Sequence, residues 1–436
     1  MAEVTVGIDI GTTSVKALAA DGDGRVVARV RTPHRVAVPA ADLLEHDADK
    51  VWRRAPRRAL QAVGGPECRG VSVVGLVPSL TAVDGRGRPR TPGLLYGDGR
   101  GRHGGAGHET EGFLRWTAAA LPGARGYWPA QAVANHALSG EAAIDTGVAA
   151  SSSPLFDLRS WNWSGELLDS AGVRGAQLPR VAATGEAVGH VGDAVMDAGG
   201  VDALAELLVA GATEEGDVLV LLGTTLIVWA VSTEWREVDG LDTFPHVGAS
   251  GKTLVGGPSN AGGLFLDWAL GLLGRPHGAV DPRSVPQWCP WPRGERAPVK
   301  DPSPRAGLQG LDLSHGPGAA CRAAYEASAF VARRLMELTG VPARRLVVTG
   351  GGTAVEAWVR ALADATALPC QVVAVPEGAA LGAAFLARVA AGLESSPEDA
   401  VRWARTSRTV DPDPRWVEPV AGRYQRFLDL CARPPG

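Results

Sequence analysis

Val4-Thr5-Val6-Gly7-Ile8-Asp9-Ile10-Gly11-Thr12-Thr13-Ser14-Val15-Lys16 is the stretch from which the rest of this chain is read. Val4, Val6, Ile8 and Ile10 alternate with Thr5, Gly7 and Asp9, which is the two-residue period of a strand. Gly11-Thr12-Thr13 interrupts the alternation as a turn, and Val15–Ala20 returns as a second strand. Asp21-Gly22-Asp23-Gly24 is a hairpin signal, and Arg25–Val30 follows as a third strand. The chain therefore opens on consecutive strands, with an aspartate and a glycine–threonine turn at the end of the first.

The pattern recurs about half a chain later. Val218–Leu222 is apolar, Gly223-Thr224-Thr225 is the turn, and Leu226–Val231 is apolar again. One strand–Gly-Thr-Thr–strand unit in each half suggests a duplicated architecture. A third element, Arg345-Leu346-Val347-Val348-Thr349, reads as a buried strand. It runs into Gly350-Gly351-Gly352 and then a helix over Ala357–Ala367. Ala324, Ser328, Val331, Leu335 and Leu338 recur at helical spacing, and Gly340 ends that pattern. A helix after Pro376-Glu377-Gly378 has a small-residue face of Ala380, Ala383, Ala384, Ala387 and Ala391, and Gly392 stops it. Strands and helices mix in both halves, so the class is α/β. Gly97–Gly112 and Pro282–Pro304 are expected to be mobile loops, and Ala432–Gly436 a frayed end.

Composition limits the function classes. The chain has 436 residues, 45% of them hydrophobic, and a net charge of −4. No basic excess points to nucleic acid or to an anionic membrane. Glu3 and Asp9 interrupt the N-terminal apolar stretch, so no signal peptide is expected. The longest apolar run, Val218–Val231, is too short to span a bilayer. Cys68, Cys289, Cys321, Cys370 and Cys431 are odd in number and scattered, without a CxxC pair. A reduced, cytoplasmic protein is the expectation.

Asp9-Ile10-Gly11-Thr12-Thr13-Ser14 suits an anion. Glycine lets the backbone approach a ligand, successive N–H groups in a tight turn form an anion-binding concavity, and the threonine hydroxyls add donors. Asp9 at the end of a buried strand is costly unless paired or near a metal. Hydrated Mg²⁺ on nucleotide phosphates meets one or two carboxylates, which gives Asp9 a role, with Lys16 near the phosphates. The same residues also make an ordinary hairpin with a strand-end aspartate, and a short motif alone does not separate the two. The triple glycine after Thr349 is neither a GxGxxG nor a GxxxxGK[ST] loop. As a strand-to-helix turn it suits the close approach of a nucleotide.

Taken in order, these elements resemble the FGGY family of carbohydrate kinases, in particular its xylulokinase-like members, over nearly the whole chain. Asp9–Lys16 is similar to the family's first phosphate motif and Leu222–Thr225 to the second. Gly350–Gly352 with Trp358, Leu362-Ala363-Asp364 and Ala379–Ala384 resembles its adenosine-binding region. Leu155-Phe156-Asp157-Leu158 with Trp163, and Gly294-Glu295-Arg296 with Pro298, match further landmarks. The resemblance implies a two-domain actin-like ATPase fold, ribonuclease H-like, with an interdomain cleft. The expected domains are residues 1–212 and 213–436. It implies ATP and Mg²⁺, with Asp9 toward the metal. The nucleotide contacts would be Asp9, Gly11, Thr12, Thr13, Ser14, Lys16, Gly223, Thr224, Thr225, Gly350, Gly351, Gly352 and Thr353. The family's catalytic base lies in a glycine-rich segment before the second phosphate motif. Here that segment is Ala198-Gly199-Gly200-Val201-Asp202-Ala203, and the base is Asp202. A positioned carboxylate can take the proton of the attacking hydroxyl. Asp202 also reads as an N-cap of a helix over Ala203–Val209, and both roles are compatible.

The chain departs from the family on the acceptor side. Xylulokinase-like members carry a GQMHG-type stretch that meets the sugar, and here it reads Gly75-Leu76-Val77-Pro78-Ser79. The W-x-D-x-R-like element appears as Tyr96-Gly97-Asp98-Gly99-Arg100. Val77, Pro78, Ser79, Asp98 and Arg100 are therefore the candidate acceptor contacts. The expected partners are ATP and a small sugar or polyol, with no nucleic acid and no membrane, and a homodimer as the assembly. His103, His108 and Glu109 match no zinc spacing and read as a solvated loop. Trp288 and Trp291 read as packing. Two other readings stay open: a catalytically degenerate, nucleotide-binding regulatory member of the family, and a different actin-like ATPase. The sugar-kinase landmarks at Asp98, Phe156 and Glu295 count against the latter, and Asp9, both Gly-Thr-Thr turns and Asp202 count against the former.

Overall fold

The computed structural model describes residues 3–40, 42–157, 159–274, 279–301, 303–375 and 377–432. Two compact units divide it. The first runs to Val209 and takes back Glu377–Trp403, and the second holds Ala210 onward together with the chain from Ala404. The expected break at 212/213 thus lies beside an observed one, but a later segment crosses back.

The reason is the small-residue helix Gly378–Ala390. Its alanine–glycine face lies directly on the strands Val4–Ile10 and Cys68–Gly75 of the first unit. Thr5 Oγ1 donates to the Ala384 carbonyl at 2.7 Å. A Cβ at Gly7 would stand 1.9 Å from the Ala380 carbonyl oxygen, and one at Gly70 would stand 2.4 Å from that of Ala387. Only a surface without side chains permits backbones so close. The helix therefore belongs to the first sheet although it lies far along the chain.

Among the described residues each unit is built on a seven-stranded sheet. In the first, Val4–Ile10 pairs antiparallel with Ser14–Ala20 and parallel with Cys68–Gly75. Val26–Pro33 extends one edge and Ala194–Asp197 with Ala187–Val191 the other. In the second, Asp217–Leu222 pairs antiparallel with Leu226–Ser232 and parallel with Arg345–Thr349. Cys370–Val373 follows in parallel, and Thr406–Val410 closes that edge antiparallel. The two strand orders correspond around their Gly-Thr-Thr turns, so the repetition seen in sequence is a repetition of sheet topology. Val4–Ile10 is buried along its whole length, as a central strand covered on both faces must be.

The long helix Pro317–Leu338 and the helices Asp202–Ala210 and Glu356–Thr366 fall where their periodicities predict. The two expected loops are more structured than expected. Gly99–Gly105 forms short 3₁₀ turns broken at His103 and Gly104, the first opened by the Asp98 carboxylate accepting the Arg100 N–H, and Glu109–Ala120 forms a helix. In the proline-rich stretch Gln287–Cys289 pairs with Gly307–Gln309. Leu158 and residues 433–436 lie outside the described residues. No helix among the described residues is long and apolar enough to cross a membrane.

Gly382 tests an equally close approach of the same helix to the helix Asp202–Ala210. A Cβ there would meet the Ala205 carbonyl oxygen at 1.8 Å. In an ordinary helix interior glycine-to-alanine stabilises by about 1 kcal/mol. Here Gly382→Ala is expected to destabilise the first unit by about 2–3 kcal/mol through overpacking. Calorimetric unfolding reads the sign, and a raised transition temperature would contradict the packing described.

Candidate active site

Asp9 and Lys16 stand opposite each other on paired strands. Lys16 Nζ lies 3.1 Å from Asp9 Oδ2. Asp9 is buried, and its Oδ1 is enclosed with no hydrogen-bond partner among the described residues. Lys16 is held above its ordinary pKa, first by the Asp9 carboxylate, against the cost of burial, and then with help from Glu206 and Asp202. The charges of three carboxylates thus act on one ammonium.

Asp202 opens its helix, and its Oδ1 accepts the Ala203 N–H at 2.7 Å. Asp202 thus stands at the helix start, as the first helical residue instead of the residue before it. Burial, and then the neighbouring Asp9 charge, raise its pKa to about 7. A carboxylate so poised accepts a proton more readily than a solvated one. Glu206 lies one helical turn on and is buried. Sequence reasoning passed over it, although the four-residue spacing from Asp202 puts both on one helix face.

The first Gly-Thr-Thr turn has its carbonyl groups tied back. Trp52 Nε1–H donates to His46 Nδ1 at 3.0 Å. Since an indole only donates, the proton of this imidazole sits on Nε2, which donates to the Thr12 carbonyl at 2.9 Å. Burial pushes His46 down to about 4, so the ring stays neutral. The His34 N–H binds the Thr13 carbonyl, and Thr12 Oγ1 meets the Tyr96 hydroxyl at 2.7 Å. Ser14 is turned inward and takes a hydrogen bond from Arg31 Nε.

On the acceptor side, Val77 and Pro78 are half-buried and joined by a cis peptide bond. Ser79 is buried, and its Oγ accepts the Ala130 N–H at 3.1 Å. Asp98 and Arg100 engage one another through two charge-assisted hydrogen bonds of 2.8 and 2.7 Å. Arg100 also reaches Glu45 Oε1 at 2.6 Å and lies over the Trp116 ring at 4.7 Å. A pocket of ≈ 460 Å³ beside them is lined by Leu43, Gly99, Arg100, Arg102, His103 and Trp116. Asp98 and Arg100 thus form an internal ionic knot, an arrangement that the residue spacing did not reveal.

The second unit repeats the device by other means. The Gly223 carbonyl accepts the Gly263 N–H at 2.8 Å and the Thr224 carbonyl the Leu264 N–H at 3.1 Å, so the start of the helix Gly263–Leu273 caps the turn from behind. Gly350, at φ +91°, lies against the end of the strand Asp217–Leu222, where a Cβ would meet the Leu222 carbonyl oxygen at 2.7 Å. The triple-glycine turn is thereby brought beside the Gly-Thr-Thr turn. A Cβ on Gly351 would enter open space, and Thr353 Oγ1 closes the turn onto the Gly350 carbonyl at 2.8 Å. Glu295 is a structural hub that accepts from Ser259 Oγ, Trp291 Nε1 and the Asn260 N–H, which accounts for Trp291 as packing. Among the described residues no cluster of three or more metal-ligating side chains occurs.

The family model for the N-terminal domain of FGGY carbohydrate kinases matches residues 4–102, and that for the C-terminal domain matches 181–391. The chain belongs to the FGGY family of carbohydrate kinases. A xylulose kinase of Escherichia coli is 26% identical, over 98% of this chain and 100% of its own. One from Streptomyces coelicolor is 30% identical, over 93% and 91%. The crystal structure of xylulose kinase from Rhodospirillum rubrum shares 25% identity and aligns with a TM-score of 0.79 over 99% of this chain and 98% of that one. This FGGY member is accordingly a carbohydrate kinase, a phosphotransferase with the two-domain actin-like ATPase fold. ATP is the phosphoryl donor of such sugar kinases.

Beneath the Asp202 segment lies a second pair of buried acids. Burial raises Asp145 to about 6 and Asp197 to about 7. Folding therefore favours their protonated forms. That stability is complete below the unfolded carboxylate range and is lost as pH rises through about 7 for Asp197. Asp197→Asn removes one titration while its Oδ1 still accepts the Gly199 N–H. Relative to wild type, the variant is expected to gain on the order of 2 kcal/mol between pH 5 and pH 8. Thermal unfolding at the two pH values checks this, and a constant difference between the proteins would contradict it.

Proposed function

We propose that this kinase transfers the γ-phosphoryl group of ATP to a hydroxyl of a small ketose-like sugar or polyol, with Asp202 as the base. The observation that carries the proposal is the placement of Asp202, a proton-seeking carboxylate held beside the Asp9–Lys16 pair at the first phosphate turn. The acceptor hydroxyl gives its proton to Asp202, its oxygen forms the new bond to phosphorus, and the bond to the ADP oxygen breaks. Lys16 and the amides of Thr12 and Thr13 would offset phosphate charge, while the Gly11 N–H closes the turn onto the Ser14 carbonyl; within the second unit, the turns Gly223–Thr225 and Gly350–Thr353 are the proposed nucleotide contacts. Asp9 Oδ1, buried without a hydrogen-bond partner among the described residues, fits a water of hydrated Mg²⁺, an ion that would neutralise phosphate oxygens.

Asp202→Asn keeps shape and removes proton affinity. It is expected to leave ATP affinity nearly unchanged and to lower turnover by roughly 10²–10⁴-fold. In the parent, kcat/KM should fall on the acid side near the raised pKa of Asp202, about 7, instead of in the ordinary carboxylate range. Near-normal turnover by the folded variant would remove Asp202 from the role. ATP binding without turnover of any acceptor would instead favour the regulatory reading.

The acceptor is proposed to be smaller or less hydroxylated than a pentulose. Leu76, Val77 and Pro78 offer no polar side chain, the Ser79 oxygen receives the Ala130 N–H, and Asp98 and Arg100 engage each other. A hydroxyl left without a partner in a buried site is costly. ADP release measured with D-xylulose, L-ribulose, erythrulose, glycerol and deoxyketoses is expected to rank D-xylulose below the best acceptor. A tenfold advantage for D-xylulose, about 1.4 kcal/mol in the transition state, would refute this.

A further inference from the structure

The helix Ala130–Ser139 presents two fully buried amides, Gln131 and Asn135, one turn apart on a single face. Gln131 Nε2 donates to the Gly75 carbonyl at 2.8 Å and to the Gly200 carbonyl at 3.2 Å. Asn135 Nδ2 donates to the Ala143 and Ala198 carbonyls, both at 2.9 Å. The first helical N–H, that of Ala130, donates to Ser79 Oγ. One helix therefore grips both ends of the acceptor-side segment, Gly75 and Ser79, and both ends of the Ala198–Gly200 turn that leads into Asp202.

The geometry leaves little slack. Gly199 sits at φ +77°, and a Cβ there would meet the Val73 carbonyl oxygen at 2.1 Å. Gly200 and Val201 pair in parallel with Val74 and Gly75. The Gln131 amide bridges these two chains where their ladder ends, and its NH₂ group is the only part of that side chain able to serve two carbonyls at once. An apolar residue of equal length would fill the space and leave both carbonyls without that donor.

We propose that Gln131 is a positioning residue for phosphoryl transfer: it sets the spacing between the acceptor segment Gly75–Ser79 and the turn that aims Asp202. The proposal rests on Asp202 as the base. An error near 1 Å in such a spacing costs up to about 10²-fold in rate, whereas nucleotide contacts are untouched.

The test uses the full-length protein with Mg·ATP, and with D-xylulose and erythrulose as separate acceptors. Gln131→Met is expected to lower kcat by roughly 10–100-fold with the KM for ATP unchanged. It should cause no further loss when added to Asp202→Asn, because the two act through one group. A folded Gln131→Met enzyme with wild-type kcat, or an equal loss in the Asp202→Asn background, would overturn the proposal. Normal turnover by Asp202→Asn alone instead overturns the base assignment, and is read from that variant by itself. Should Gln131→Met fail to fold, Gln131→Asn keeps an amide on a shorter stem and is expected to show a smaller loss of the same kind. Hydrogen–deuterium exchange gives a readout without turnover. Peptides covering 73–79 and 197–203 should exchange faster together in the variant, and unchanged exchange in either one overturns the linkage.

Discussion

Both units of this kinase hold a Gly-Thr-Thr turn between two strands by hydrogen bonds to the carbonyl oxygens of the turn. In the first unit the donors are the Nε2–H of His46 and the main-chain N–H of His34. In the second they are the first amides of the helix Gly263–Leu273. The motif is the same and the supporting chemistry differs. What the two units share is thus the turn and the sheet topology around it, not the residues that hold the turn in place.

Charge at the first turn follows from burial. Asp9 is taken from water at the end of a central strand, and a lone carboxylate there would be costly. Lys16 offsets it from the neighbouring strand. Asp202 and Glu206 add negative charge from the helix that follows the glycine turn. Burial, and then the Asp9 charge, raise Asp202, and a raised carboxylate suits proton removal. The electrostatics and the proposed chemistry therefore have a common origin in the packing of one strand end against one helix start.

Glycine and alanine carry the remaining burden. The helix Gly378–Ala390 approaches its strands and the helix Asp202–Ala210 so closely that ordinary side chains at Gly7, Gly70 or Gly382 would strike carbonyl oxygens. The contact draws a late segment into the first unit. Buried amides of the helix Ala130–Ser139 do comparable work for the loops, substituting side-chain donors where the strand ladder runs out.

Local patterns were legible in the sequence because they arise from neighbours along the chain. Alternation over Val4–Ile10, the Gly-Thr-Thr and triple-glycine turns, and the helical spacing from Ala324 to Leu338 depend on backbone geometry within a few residues. They sufficed for an α/β class, for a repeated unit and, through resemblance, for the kinase family. Partners distant in sequence were not legible. Gln131 and Gly200 are 69 residues apart, and His46 and Thr12 are 34 apart. Nor was the ionic cluster legible that joins Asp98, Arg100 and Glu45, with the guanidinium over the Trp116 ring. The helix Gly378–Ala390 reads as part of the second half until its smooth face is seen on the first sheet. A residue type states what a side chain is able to bond, but only the packed chain decides which of many equivalent donors and acceptors lies within 3 Å of it.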